Sequence, residues 1–173
     1  MVKKIILLGY MGSGKSVIGA ELSKALKRMH FDLDVLIENE QKLSINSIFK
    51  IKGELYFRIL EHKVFKRLVE SNDEFVLSLG GGTPCYANNH LFLKYGNVNS
   101  IYLKTSVEEL YKRLIINKAK RPLIAEMGDT ELKEFIAKHL FDRSFYYHQA
   151  KHTITTDGKS IEAVVEEIKF LIA

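Results

Sequence analysis

Gly9-Tyr10-Met11-Gly12-Ser13-Gly14-Lys15-Ser16 follows the apolar run Ile5-Ile6-Leu7-Leu8 and precedes Ile18, Leu22, Ala25 and Leu26 at helical spacing. Glycine, four residues, glycine, lysine and serine form the signature of a loop that cradles phosphate between a strand and a helix. Glycines reach positive φ and carry no Cβ, so backbone N–H groups can converge on phosphate oxygens. The following helix adds the positive end of its dipole. Gly12, Ser13, Gly14, Lys15, Ser16 and Val17 are therefore candidate nucleotide-binding residues, with Lys15 on the outer phosphates and the Ser16 hydroxyl on Mg²⁺. A dinucleotide fingerprint fails, because Val17 stands where its third glycine belongs.

Outward from this loop, β-branched and apolar runs predict strands over Val2–Leu8, Phe75–Leu79, Val98–Leu103 and Thr153–Thr156, with a short fifth near His30–Leu33. Helical spacing predicts helices over Lys15–Met29, Glu54–Val69, Asp129–Ala150 and Ser160–Ile172. Ser106-Val107-Glu108-Glu109 has the capping-box pattern and opens another, through Ile116. Strands alternating with helices predict an α/β fold with a parallel sheet covered on both faces. Ligands bind such sheets beyond the carboxyl ends of the strands, so the chemistry is expected just after Leu8, Leu33 and Leu79.

The 173 residues suit one domain, and 46% apolar with 27% charged residues is ordinary globular composition. The net charge of +5 is spread over short groups such as Lys63, Lys66 and Arg67, so solvated helix faces are expected and no nucleic-acid partner. A single cysteine, Cys85, excludes a disulfide framework and indicates a reducing compartment. Lys15 ends the N-terminal apolar stretch far short of the ~20 residues that span a bilayer, and no cleavage site follows. A cytoplasmic protein without membrane association is expected. The six histidines lack zinc-site spacing.

Two other places carry unusual residues. Asp32 and Asp34 stand at period two, which in extended chain turns both carboxylates to one side, for a metal shell and for orienting or deprotonating an acceptor hydroxyl. Alternatively, Asp34 caps the helix through Glu40. Gly80-Gly81-Gly82 is costly in backbone entropy, which favours close approach of a ligand over a plain flexible turn.

With the phosphate loop and Asp32-Leu33-Asp34, four further segments carry a resemblance. They are Gly53-Glu54-Leu55-Tyr56-Phe57-Arg58 with Glu61, Leu77 to Pro84, Arg121-Pro122-Leu123, and Arg143-Ser144-Phe145-Tyr146. In order and spacing, over nearly the whole chain, they resemble the shikimate kinase family. The resemblance implies a three-layer P-loop kinase of the nucleoside-monophosphate-kinase-like fold with a central five-stranded parallel sheet. It implies ATP- and Mg²⁺-dependent phosphorylation of the 3-hydroxyl of shikimate, on the way to chorismate and the aromatic amino acids. Carried over, Lys15, Asp34 and Arg121 are the catalytic residues, and Arg121 also joins the ATP site. Ser16 and Asp32 serve the metal. Asp34, Arg58, Gly80, Gly81, Gly82 and Arg143 bind shikimate, the two arginines taking its carboxylate. Phe49 and Phe57 supply apolar wall or core.

The same resemblance implies a substrate-binding region over about 35–61, a lid over about 117–128 and a monomer. Val17 replaces a usual threonine, Tyr56 replaces a commoner polar residue, and Thr156 to Lys159 matches poorly, leaving Lys159 as the one adenine-contact candidate there. Two other readings stay open: a kinase for another small hydroxy acid such as gluconate, and a nucleotide-binding module without transferase activity.

Overall fold

Ile5 and Leu7 face one side of a sheet and Ile6 and Leu8 the other, and all four are fully buried. They belong to β1 (Lys4–Leu8), the central strand in a computed structural model of the chain that describes residues 4–116, 118–120 and 123–173. A strand covered on both faces needs apolar residues at consecutive positions, which is why this run does not alternate with polar residues. The other strands are β2 (Met29–Asp32), β3 (Phe75–Ser78), β4 (Val98–Lys104) and β5 (His152–Thr155). All pairings are parallel, in the order β2-β3-β1-β4-β5. The expected strands are all present, shifted by a residue or two at their ends; Val2 and Lys3 lie outside the described residues.

The layers follow from the two faces. Ile5, Leu7, Val76, Ile101 and Ile154 pack against α1 (Lys15–Leu26) and α6 (Ile161–Ile172). Ile6, Leu8, Phe75, Leu77 and Tyr102 pack against α2 (Leu33–Gln41), α3 (Ile45–Glu70), α4 (Val107–Ile116) and α5 (Asp129–Tyr147). This is the three-layer α/β architecture with a five-stranded parallel sheet. Among the described residues no helix is long and apolar enough to cross a membrane.

Helix ends differ from expectation for local reasons. α1 stops at Leu26 rather than Met29 because Lys27 turns left-handed at φ 53°, with its N–H donating to Lys24 O. α5 ends at Tyr147 rather than Ala150, and Ser160 caps α6 from outside. The Ser106 hydroxyl accepts the Glu109 N–H, but the reciprocal half of that capping box is taken by Asp157, whose carboxylate accepts the Ser106 N–H. Glu109 instead pairs with Arg113 at 2.8 Å.

The largest difference is α3, which starts at Ile45 rather than Glu54 and is kinked at Gly53 (φ 82°, ψ 167°). That conformation belongs essentially to glycine, so the chain changes direction there without a loop. The kink separates an outer arm from the part of α3 that buries Phe57, Glu61, Val64 and Phe65.

Candidate active site

Because the strands are parallel, the segments after Leu8, Asp32 and Ser78 emerge at one edge of the sheet and line one cleft of about 410 Å³. The phosphate loop occupies its centre. Gly9, Gly12 and Gly14 have φ of 149°, 84° and 95°, as the motif requires. Lys15 Nζ donates to the carbonyls of Gly9 and Tyr10, both at 2.9 Å, so its ammonium is held over the loop. Ser78, at the end of β3, donates to Lys15 O at 2.9 Å and ties the first turn of α1 to the sheet. Val17 lines the cleft, whereas Ser13 is fully buried and its N–H donates to Tyr10 O at 3.1 Å.

Asp32 and Asp34 both reach the cleft, but not through an extended chain. β2 ends at Asp32, and Asp34 lies in the first turn of α2. Asp32, not Asp34, is the helix cap: its Oδ1 accepts the N–H groups of Asp34 and Val35. Its Oδ2 accepts the Ser16 hydroxyl at 2.7 Å, which joins the two candidate metal residues. A hydroxyl and a carboxylate are hard oxygen donors, suited to an octahedral Mg²⁺ that keeps several waters and takes phosphate oxygens. Among the described residues no group of three or more His, Cys, Asp or Glu could hold an ion unaided. The residues present therefore fit Mg²⁺ brought in with nucleotide.

Capping by Asp32 leaves Asp34 free of structural duty. Its carboxylate accepts no hydrogen bond among the described residues. Burial pushes its pKa up to about 6, helped by the neighbouring charges of Asp32 and Glu61 and opposed by Lys15. A carboxylate poised near neutrality beside a phosphate loop can take a proton from an acceptor hydroxyl.

The three glycines make room for three of the protein's own side chains. A Cβ on Gly80 would stand 3.1 Å from Asp34 Oδ1, one on Gly81 3.3 Å from Arg143 Nη1, and one on Gly82 2.8 Å from Arg58 Nη2. The triple glycine is thus the surface on which these candidate substrate residues converge. Among the described residues the N–H groups of Gly81 and Gly82 donate no hydrogen bond. They remain available to an anion.

Arg58 is held firmly. Its Nη1 donates to Glu61 Oε1 at 2.9 Å, Glu54 lies 3.5 Å from its Nε, and its guanidinium stacks 4.0 Å over the Tyr86 ring. Glu61 is only 1% exposed and also accepts the Thr83 hydroxyl at 2.7 Å. Both helical pairings open to Arg58 are realised, yet they leave its guanidinium facing Gly82. Phe57 is core and Phe49 packs on it with ring centroids 4.7 Å apart. Cys85 is a bystander, its thiol pushed up to about 11 by burial.

Arg113 is a residue that sequence reasoning missed. Its spacing from Glu109 reads as a helix-face ion pair, which it makes, but Nη1 also donates to Gly12 O at 3.3 Å. It lines the phosphate cleft and a second pocket of about 250 Å³ behind the loop, shared with Gly12, Val17, Thr156 and Lys159. Lys159 is therefore near the loop, although its ammonium pairs with Glu167. Arg121 and Pro122 lie outside the described residues, as does Asn117.

Comparison with known proteins agrees with this fold. The family model described as shikimate kinase matches residues 11–172. A shikimate kinase from Flavobacterium johnsoniae is 53% identical over 172 residues, covering 99% of this chain and 100% of that one. A second, from Flavobacterium psychrophilum, is 55% identical over 96% of this chain and 97% of its own. Among solved structures, shikimate kinase from Bacteroides thetaiotaomicron superposes with a TM-score of 0.89 at 32% identity, over 98% of this chain and 97% of that one. The enzyme from Acinetobacter baumannii, solved in complex with shikimate, gives 0.87 at 32% identity, over 99% and 93%. With a family match over nearly its whole length and relatives above half identity, the chain belongs to the shikimate kinase family.

Proposed function

We propose that this chain is a shikimate kinase, transferring the γ-phosphoryl group of ATP to the 3-hydroxyl of shikimate. The observation that carries the reading is the convergence of Asp34, Arg143 and Arg58 on Gly80, Gly81 and Gly82, beside the phosphate loop. A nucleotide-binding module needs only the loop; a carboxylate and backbone N–H groups that have no hydrogen-bond partner among the described residues, set with two arginines, suit an acceptor bearing hydroxyls and a carboxylate.

In this reading Gly12, Ser13, Gly14, Lys15, Ser16 and Val17 hold the phosphates, and the pocket behind the loop, with Arg113 and Lys159, takes the base. Arg58, Arg143 and the Gly81 and Gly82 N–H groups receive the shikimate carboxylate. Asp34 orients the acceptor hydroxyl and takes its proton as the new oxygen–phosphorus bond forms. The bond from the γ-phosphorus to the bridging oxygen breaks, and ADP leaves with that electron pair. Lys15 stabilises charge on the phosphate oxygens. Ser16 and Asp32 would hold Mg²⁺, which when bound neutralises charge on the β- and γ-phosphate oxygens. Residues 35–61, in α2, the outer arm of α3 and the first turns beyond its kink, form the acceptor-binding region; the lid expected over 117–128 and the role expected of Arg121 fall on a segment whose residues 117, 121 and 122 lie outside the described residues. In this reading the chain works as a monomer in the cytoplasm.

The test is ADP release with shikimate, gluconate, nucleoside monophosphates or no acceptor, each with and without Mg²⁺. Turnover with shikimate and Mg²⁺ alone is expected; equal turnover with gluconate would overturn the substrate, and equal acceptor-free hydrolysis would indicate an ATPase.

Arg58→Ala and Arg143→Ala should each weaken shikimate binding by about 2–5 kcal/mol, with ADP affinity nearly intact. They should differ in stability. Arg58→Ala strands the buried Glu61 carboxylate and should lower Tm more than Arg143→Ala. Calorimetry and thermal melts on both variants check this pair of outcomes.

A further inference from the structure

We propose that Tyr10 and Tyr147 are positioning residues that mount the Arg143 guanidinium, holding it in register with the phosphate loop on one side and the triple glycine on the other. The proposal rests on the reading of Arg143 as a partner of the acceptor carboxylate.

His139, Arg143 and Tyr147 are spaced by four along α5, so they share one face of that helix. Each touches a loop of the site. His139 Nδ1 lies 3.1 Å from the Tyr10 hydroxyl, and Tyr10 is the second residue of the phosphate-loop motif. The Arg143 guanidinium lies over the Tyr10 ring, 5.5 Å from its centroid. The Tyr147 hydroxyl donates to Gly81 O at 2.6 Å, and Arg143 Nη1 stands 3.3 Å from where a Cβ on Gly81 would be. Both tyrosines are buried, at 1% and 0% exposure, so neither ring is free to leave.

An arginine side chain gives up about 2 kcal/mol of rotamer entropy when it is fixed. Ordering it before the ligand arrives removes that cost from binding. Tyr10 supplies a rigid aromatic face for the cation. Tyr147 spends its single proton on Gly81 O, so its oxygen has only lone pairs left to turn toward the neighbouring Arg143 cation. Because the peptide is planar and trans, fixing Gly81 O also fixes the direction of the Gly82 N–H. The mount therefore aligns a guanidinium and a backbone donor for the same anion. Neither tyrosine touches the acceptor in this account; both act through Arg143 and the Gly81–Gly82 peptide.

The test is calorimetric titration of shikimate, without nucleotide, into wild type, Arg143→Ala, Tyr147→Phe, Tyr10→Phe, Tyr10→Leu and the Arg143→Ala/Tyr147→Phe double variant. Tyr147→Phe keeps shape and removes only the hydroxyl. It should raise the shikimate Kd about tenfold, the size of a hydrogen bond to a charged group. ADP affinity should stay within about twofold of wild type, since no nucleotide contact changes. Tyr10→Leu should raise the shikimate Kd about three- to tenfold, while Tyr10→Phe, which retains the ring under Arg143, should restore it to within about twofold. In the Arg143→Ala background Tyr147→Phe should add no more than about threefold, because only the Gly82 N–H is left for it to align.

A tenfold penalty that persists without Arg143 would overturn the proposal. So would a Tyr147→Phe variant that melts lower but binds shikimate like wild type, which is the mark of a purely structural hydrogen bond. Wild type that binds no shikimate would overturn the acceptor reading and this inference together; normal binding by wild type and both Tyr147→Phe and Tyr10→Leu would overturn this inference alone.

Discussion

Asp34→Asn is expected to lower kcat by about 10²–10⁴-fold while making the folded protein more stable at neutral pH. The two effects share one cause. Burial, with Asp32 and Glu61 nearby, raises the Asp34 pKa from 3.8 to about 6. In the folded state Asp34 keeps its proton to higher pH than in the unfolded chain, so the folded state binds more protons between about pH 4 and 6. Stability contributed by this group is therefore full below about pH 4 and is lost as pH rises through about 6. Above pH 6 the ionised carboxylate costs about 1–3 kcal/mol, and an uncharged amide of the same shape removes that cost. Thermal melts should show the variant a few degrees above wild type at pH 7–8 and level with it near pH 4. Wild-type kcat/KM should fall as pH drops through about 6, as the base is protonated. A variant retaining more than a tenth of wild-type kcat would remove Asp34 as the base.

Lys15→Met should leave the fold intact and reduce kcat by about 10²–10³-fold, the loss typical of one preorganised donor to developing charge. Its ammonium rests on the carbonyls of Gly9 and Tyr10, within the loop where the phosphates are proposed to lie. Lys15 is also the cation that opposes the upward shift of Asp34. Its loss should therefore move the acid limb of the residual kcat/KM profile to higher pH, because the ionised carboxylate loses a favourable charge. Single-turnover kinetics over pH 5–8 measures both effects. A rate within threefold of wild type would separate Lys15 from the phosphoryl-transfer step, and an unmoved acid limb would separate it from Asp34.

The phosphate loop could be read from residues alone because its requirements are local. Positive φ at Gly12 and Gly14, and a lysine and serine opening the next helix, are properties of eight consecutive positions. Continuous apolar runs likewise announced a buried parallel sheet, since a strand covered on both faces has no polar side to display. The pair Asp32 and Asp34 was legible as a site but not as a shape. Period two suggests a strand, while the N–H groups of Asp34 and Val35 draw the Asp32 carboxylate into a helix cap, which releases Asp34 for the cleft. The kink at Gly53 was hidden for a related reason: helical spacing continues on both sides of it, and only the backbone angle separates the arms.

Sequence by itself determined the order of the elements, the phosphate loop and the set of charged residues available after each strand, because those depend on patterns within a few turns of chain. Tertiary structure decided which of those charges meet. Arg58 and Arg143 are 85 positions apart, and their common placement against Gly82 and Gly81 follows from the packing of α3 and α5 on one face of the sheet. The same packing brings Tyr10 beneath Arg143, sets Tyr147 on Gly81 O and carries Arg113 to Gly12 O. None of these contacts has a local signature. They depend on side chains from distant segments being ordered at one sheet edge, and that order is created by burying the two apolar faces of the sheet.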